Sequence, residues 1–210
     1  MDRYGPTPRG VDWNCAATQD LRFLQLLKIC NVRRPFSLND IGCGYGGLLG
    51  YILKCRPHVR LDYLGIDLSE RMIGHAKRLW SNRPDVHFVQ AGRSSRIADY
   101  SIASGIFNVR LGHPRRVWER LVADTLIAMR ATSTLGFAVN FMAPLPSAGI
   151  GERNLYRTDP ERWIDFCERK LGCSVEIKNG YGLREFTLLA RPQAEGPTVR
   201  RRRAEVVNAG

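Results

Sequence analysis

Two carboxylates frame the chemistry open to this chain. Asp40 lies near the end of a short apolar run, Phe36 to Ile41, two residues before a glycine turn that reads DIGCGYGG; Asp67 closes a second run, LDYLGID. Glycine at Gly42, Gly44 and Gly46 lets the backbone approach a ligand where a Cβ would collide. Strand, glycine turn and helix in that order make a cradle for a nucleotide-bearing group. Gly42, Gly44 and Gly47 also satisfy GxGxxG, with Asp67 twenty residues beyond Gly47, the spacing of the dinucleotide fingerprint. Three features oppose a dinucleotide. A carboxylate at Asp40 would crowd a pyrophosphate, whereas it suits an ammonium group. Too little chain follows for a second substrate domain and a sixth parallel strand. The sheet closes instead with a hairpin whose reversed strand is foreign to a dehydrogenase.

Alternating strands and helices must position those groups. Residues 17 to 30 form a helix with Leu21, Leu24, Leu27 and Ile29 on one face. FSLNDI (36–41) is the first strand, and Gly47 to Cys55 begins a helix that stops at Pro57. LDYLGID (61–67) is the second strand; Ser69 caps the following helix, which runs to about Trp80. VHFVQA (86–91) and DYSIASGIF (99–107) are the third and fourth strands. Trp118, Leu121, Val122, Thr125, Leu126 and Met129 recur at helical spacing between Pro114 and Arg130. GFAVNFM (136–142) is the fifth strand. A helix through about Leu171 opens either with Thr158 and Glu161 as a capping pair or with Asp159 before Pro160. SVEIKN (174–179) and EFTLLAR (185–191) close the pattern across a connection short enough to require antiparallel pairing. The expected class is therefore α/β, a mostly parallel sheet covered on both faces, with its ligand crevice at the carboxyl ends of the strands.

Taken together, DIGCGYG, LGIDLSERMI, DYSIASGIFN and the closing hairpin resemble the class I S-adenosylmethionine-dependent methyltransferases over about Phe36 to Arg191. The resemblance implies a seven-stranded sheet of order 3-2-1-4-5-7-6, an N-terminal helical lid and bound S-adenosyl-L-methionine. Asp40 would lie near the methionine ammonium, directly or through water, and Asp67 would accept both ribose hydroxyls. Gly42, Gly44 and Gly46 would admit the cofactor, with Cys43 as a small spacer among them. Leu68 and Met72 would touch the adenine. Many members carry an acid or amide after the third strand; here Gly92, Arg93 and Ser94 stand there, so a backbone carbonyl or a serine would hold the adenine amino group. The fourth-strand end, Ser104 to Asn108, would face the methyl.

Methyl transfer is an in-line displacement, for which positioning and exclusion of water matter more than a base. Asn108 and His113 are the reactive or hydrogen-bonding side chains nearest that edge; His113, beside Pro114, also reads as a capping or surface residue. Tyr4, Trp13 and Asn14 would form a cover over the acceptor, or a strap packed on the core, with Tyr181 and the loop from Ala143 to Tyr156 as further walls. The runs NPPY and DPPY and a Pro-Cys nucleophile are absent, which lowers the weight of nucleic-acid bases as acceptors. A small-molecule or sugar- or lipid-linked acceptor, methylated on O or N, is the favoured expectation. The alternatives are an RNA or protein methyltransferase using the basic surface, a non-catalytic cofactor-binding module or polyamine-type transferase and, weakest, a nicotinamide oxidoreductase.

The chain's 210 residues and 23.8 kDa suit one core. We divide it into an N-terminal lid segment (1–35), the catalytic domain (36–191) and a basic tail (192–210). Lys plus Arg exceed Asp plus Glu by 32 to 20, a net +12 that makes an anionic partner worth considering, although the arginines are scattered outside Arg200 to Arg203. Six cysteines without metal-ligand spacing argue for reduced thiols and against a metal site. No stretch is long and apolar enough to span a bilayer, and the N-terminus lacks the apolar segment of a secretory signal, so a cytoplasmic location is expected.

Overall fold

The computed structural model describes residues 16–145 and 154–193. Strands β1 (Phe36–Ile41), β2 (Leu61–Asp67), β3 (Val86–Gln90), β4 (Ala98–Ala103), β5 (Ser133–Met142), β6 (Cys173–Lys178) and β7 (Glu185–Pro192) form one sheet of order β3-β2-β1-β4-β5-β7-β6. The first five run parallel, and β7 is antiparallel to both β5 and β6. β1 sits in the middle with β4 on its other side, so the order reverses there and the crevice opens at its carboxyl end.

Side chains alternate across each strand, and the two faces are covered by different helices. On one face Phe36, Leu38, Leu61 and Tyr63 pack with α1 (Ala16–Leu26), α2 (Gly47–Cys55) and α3 (Glu70–Leu79). On the other, Ile41, Ile66, Phe137 and Phe141 pack with α4 (Arg115–Ala131) and α5 (Pro160–Leu171). Asp40 shares a face with Phe36 and Leu38, which points it under α1 and α2. No helix among the described residues is long and apolar enough to cross a membrane.

Helix ends follow the local chemistry. The Ser69 hydroxyl accepts the Met72 amide at 3.3 Å and caps α3. At α5 the N-cap is Asp159 with Pro160 in the first turn and no side-chain cap bond, the second of the two openings that the sequence left.

Three expectations need correction. The helix expected over 17 to 30 ends at Leu26 and tightens into a 3-10 turn, Leu27–Ile29. Its inner face is Gln19, Phe23 and Leu26, while Leu24 is 47% exposed. Gln19 and Arg22 turn inward to meet partners in the site, a choice that apolar periodicity cannot register. β4 stops at Ala103 because Gly105, at φ 73°, turns the chain and accepts the Asn108 amide at 3.3 Å. β5 starts three residues early, at Ser133; a register shift opposite Ala98 and Tyr100 carries it past Gly136, where a Cβ would lie 2.7 Å from the Ala190 carbonyl oxygen. Residues 1–15 and 194–210, and with them the expected cover residues Tyr4, Trp13 and Asn14 and the basic run, lie outside the described residues.

Candidate active site

The site is built where β1 breaks into the glycine turn. The amides of Gly42 and Cys43 both donate to the Ile66 carbonyl, at 2.7 and 3.0 Å, pinning the turn to β2. Gly42, Gly44 and Gly46 all hold positive φ, 74°, 56° and 87°. A Cβ on Gly42 would lie 2.2 Å from Ile106 Cγ2, and one on Gly46 would lie 2.5 Å from Trp80 Nε1. Trp80 donates that Nε1 proton to the Tyr45 carbonyl at 3.1 Å, so the tryptophan props the turn from below. Nothing in the sequence marked Trp80; its only signal was its place at the end of α3.

Asp67 lies above the turn and fixes it. Its Oδ2 accepts the Gly44 amide at 2.9 Å and its Oδ1 the Ser69 amide at 2.8 Å. Each oxygen keeps a second lone pair for another donor. Leu68 beside it is 76% exposed, and Gly92 comes close to Leu68, within 3.4 Å of a Cβ built there. Arg93 is exposed, and the Ser94 hydroxyl donates to the Arg96 carbonyl and accepts the Arg96 amide, both at 3.1 Å, which leaves it one lone pair for a further donor. Met72 is half-buried in the first turn of α3.

Asp40 is 2% exposed and lies beneath the turn. Burial pushes its pKa up to about 7; the hydrogen bond from Tyr63 opposes this, and the charge of Asp67 adds to it. The Tyr63 hydroxyl donates to Asp40 Oδ2 at 2.6 Å. Tyr63 is the second site residue that sequence reasoning missed, because within LDYLGID it reads as an ordinary strand aromatic. Cys43 is buried against Gly65 and Phe88, and burial raises its thiol pKa far above the usual range, so it serves as packing.

One cavity gathers Asp40, Gly42, Cys43, Gly44 and Ser104, with Gln19 and Phe23 of α1 as its wall. The Ser104 hydroxyl oxygen is enclosed and has no hydrogen-bond partner among the described residues, and the same holds for Asn108 Oδ1. Asn108 is held by its backbone, donating to Gly105 and accepting the Tyr156 amide at 2.8 Å. His113 stands apart: it is exposed, its ring stacks on Trp118 at 6.5 Å, and it does not line the cavity. The strip from Asn154 to Thr158 lies over this loop, with an antiparallel bridge between Val109 and Leu155.

Tyr181 is half-buried, and its hydroxyl lies 3.1 Å from that of Thr187; burial pushes its pKa up to about 12. Nearby, Arg22 donates twice to Glu185, at 2.7 and 2.5 Å. Asn140 donates to Glu185 at 2.9 Å and accepts the Gly105 amide at 2.8 Å. This chain of bonds ties α1, β7, β5 and the post-β4 loop together. Among the described residues no group of His, Cys, Asp and Glu is arranged to hold a metal ion.

No family model matches the sequence. The protein Rv1506c of Mycobacterium tuberculosis (strain ATCC 25618 / H37Rv), named as a methyltransferase, is 42% identical over 165 residues, covering 79% of this chain and 98% of that protein. The chain belongs to the class I S-adenosylmethionine-dependent methyltransferases. The methyl donor of this methyltransferase is S-adenosyl-L-methionine. Its fold is also that of the pyocyanin biosynthetic protein PhzM (TM-score 0.61, 19% identity, 83% of this chain and 55% of that one). Magnesium protoporphyrin IX methyltransferase from Synechocystis PCC 6803, solved with bound SAH, shares it too (TM-score 0.60, 14% identity, 84% and 83%).

The residues of the methyltransferase fit that donor on two observations independent of any relative. A side chain at Gly42 would strike Ile106 and one at Gly46 the supporting Trp80, so the turn stays bare, and an enclosed hydroxyl, Ser104 Oγ, lines the cavity without a partner.

Proposed function

We propose that this methyltransferase methylates an O or N atom of a small-molecule or sugar- or lipid-linked acceptor, in a site between the glycine turn and the post-β4 loop. S-adenosyl-L-methionine supplies an electrophilic methyl on a sulfonium centre. Asp67 holds the ribose hydroxyls on its remaining lone pairs while keeping the Gly44 and Ser69 amides in place. Asp40, ionised by the arriving ammonium, takes the amino-acid end, with Tyr63 orienting the carboxylate. Leu68, Met72 and Gly92 bound the adenine side, and Arg93 lies at its solvent edge.

The observation that carries the acceptor assignment is an enclosed, unpartnered acceptor atom, Asn108 Oδ1, on the loop that follows Ser104. Leaving a polar atom enclosed and unsatisfied costs about 1–3 kcal/mol, so such atoms mark where a hydroxyl or amine completes the site. Asn108 orients the nucleophile through its carbonyl oxygen and Ser104 holds the geometry at the methyl end. His113, exposed beside Trp118 and outside the cavity, is a surface residue, and the proton of a hydroxyl or ammonium acceptor leaves to solvent. Tyr181 closes the far side near Glu185.

The test is transfer of labelled methyl to a panel of small hydroxyl and amine acceptors, with total RNA as competitor. Label should enter small acceptors, and Asn108→Ala should cut the rate by about tenfold or more, as losing one oriented hydrogen bond does. Label found in RNA alone would overturn the assignment. Calorimetry with S-adenosylhomocysteine on Asp67→Ala isolates the donor half: binding should be lost there and kept in Asn108→Ala.

A further inference from the structure

Away from the cradle, a groove of about 510 Å³ runs between α4 and α5. Its walls carry five cations, Arg116, Arg120, Arg162, Arg169 and Lys170, against two acids, Glu119 and Asp165. Both acids are already engaged. Glu119 holds Arg115 at 2.8 Å and Arg162 at 2.7 Å, and Asp165 pairs with Arg169 at 3.5 Å. Arg116, Arg120 and Lys170 are exposed and have no ion pair among the described residues. The floor between them is apolar, made by Ala123 and the half-buried Phe166. On α4 the positions 116, 120, 123 and 127 follow helical spacing, so Ile127, 48% exposed, prolongs the stripe.

We propose that this groove docks an acidic amphipathic helix of a partner protein, its apolar side chains on Ala123, Phe166 and Ile127 and its carboxylates against the two basic walls. Concave apolar floor and charged rims are the geometry of helix-in-groove recognition. A single-stranded nucleic acid would need open aromatic faces for its bases. Trp163 offers none, being 2% exposed and stacked on Phe141 at 5.8 Å, and the half-buried Phe166, set edge-on to Trp163 at 5.7 Å, gives one ring where successive bases need a row of them. A lipid surface takes apolar side chains that project, and here they form the bottom of a trough. The chain itself supplies no acidic occupant, since residues 1–15 hold two arginines and two aspartates, a net of 2 − 2 = 0. Residues 194–210 hold four arginines and two glutamates, a net of 4 − 2 = +2, and a second copy carries the same +12. The Trp118 indole, on the same helix turn as Glu119, donates to the Phe107 carbonyl at 3.0 Å, so one hydrogen bond joins the α4 wall of the groove to the loop that bears Asn108.

The test titrates the full chain into a fluorescent synthetic peptide, an amphipathic helix with leucines on one face and glutamates on the other. Parallel titrations use the same peptide with glutamine for glutamate, a single-stranded RNA and phosphatidylserine-containing vesicles. The acidic peptide should bind, more tightly at low salt, and the double variant Arg116→Glu with Arg120→Glu should weaken it about tenfold or more. The glutamine peptide should bind poorly. Equal binding by parent and variant would overturn the proposal, as would no binding by the parent. So would a variant that loses RNA or vesicles while keeping the peptide. Both arginines are exposed, so the variant should melt with the parent; should it not fold, Arg116→Gln with Lys170→Gln gives the same comparison.

Discussion

Asp40 is a proton-binding group in the wrong place for an ordinary carboxylate. Its pKa rises from 3.8 to about 7 on folding, so between those values the folded chain holds a proton that the unfolded chain has released. The stability this group contributes is whole below pH 3.8 and is lost as the pH climbs through about 7. Asp40→Asn should remove that slope from a series of melting curves. An arriving ammonium favours the charged form, so binding of S-adenosylhomocysteine should expel the proton. Affinity should weaken below pH 7, by up to about tenfold per unit, and level off above it. Tyr63→Phe removes the bond that lowers the pKa, so the midpoint should move upward; calorimetry across pH reads both. The two aspartates were legible in sequence because each ends a short apolar run beside glycine or a helix cap. Tyr63 was not, since a buried donor to a carboxylate looks the same in sequence as a packed aromatic.

At the scale of elements, the glycine turn depends on the end of α3. Gly46→Ala would place a Cβ 2.5 Å from Trp80 Nε1 at a φ of +87°, which costs about 1–2 kcal/mol in backbone strain and also displaces the indole. Trp80→Phe keeps an aromatic ring but removes both the bond to the Tyr45 carbonyl and the part of the indole that packs toward Gly46 and Gly50. The alanine variant should lose cofactor binding with a clear drop in melting temperature. The phenylalanine variant should lose about 1–3 kcal/mol of stability, the hydrogen bond plus the volume removed, and retain binding in part, as thermal shift with S-adenosylhomocysteine would read. Strands and helices were legible here because period and punctuation agree: β1, β2 and α2 begin and end where the residues predicted. α1 was misread in its face, because Gln19 and Arg22 are polar residues turned inward for partners far along the chain. The bulge near Gly136 was equally hidden, being set by the Ala190 carbonyl of a strand more than fifty residues away.

For the whole molecule, the pair Arg22 and Glu185 joins the first helix to the last strand. Their side chains are 11% and 6% exposed, and Asn140 carries the connection on to Gly105. Removing one partner of a buried pair leaves a charge uncompensated, at about 3–5 kcal/mol. Arg22→Ala should therefore lower the melting temperature strongly and loosen the post-β4 loop, seen as faster amide exchange at Gly105. The seven-stranded order followed from the resemblance, and the α4–α5 groove from neither pattern nor resemblance, since its arginines gather only when two helices are set side by side. β6 forms one border of the sheet, and its outer backbone groups would accept a strand from another molecule. Glu176, exposed there and paired with both Lys178 and Arg191, is a charge that any such addition would have to strip of water. Replacing Glu176 and Lys178 by valine should convert a soluble border into a seed for fibrous growth, visible as rising light scattering while the parent solution stays clear.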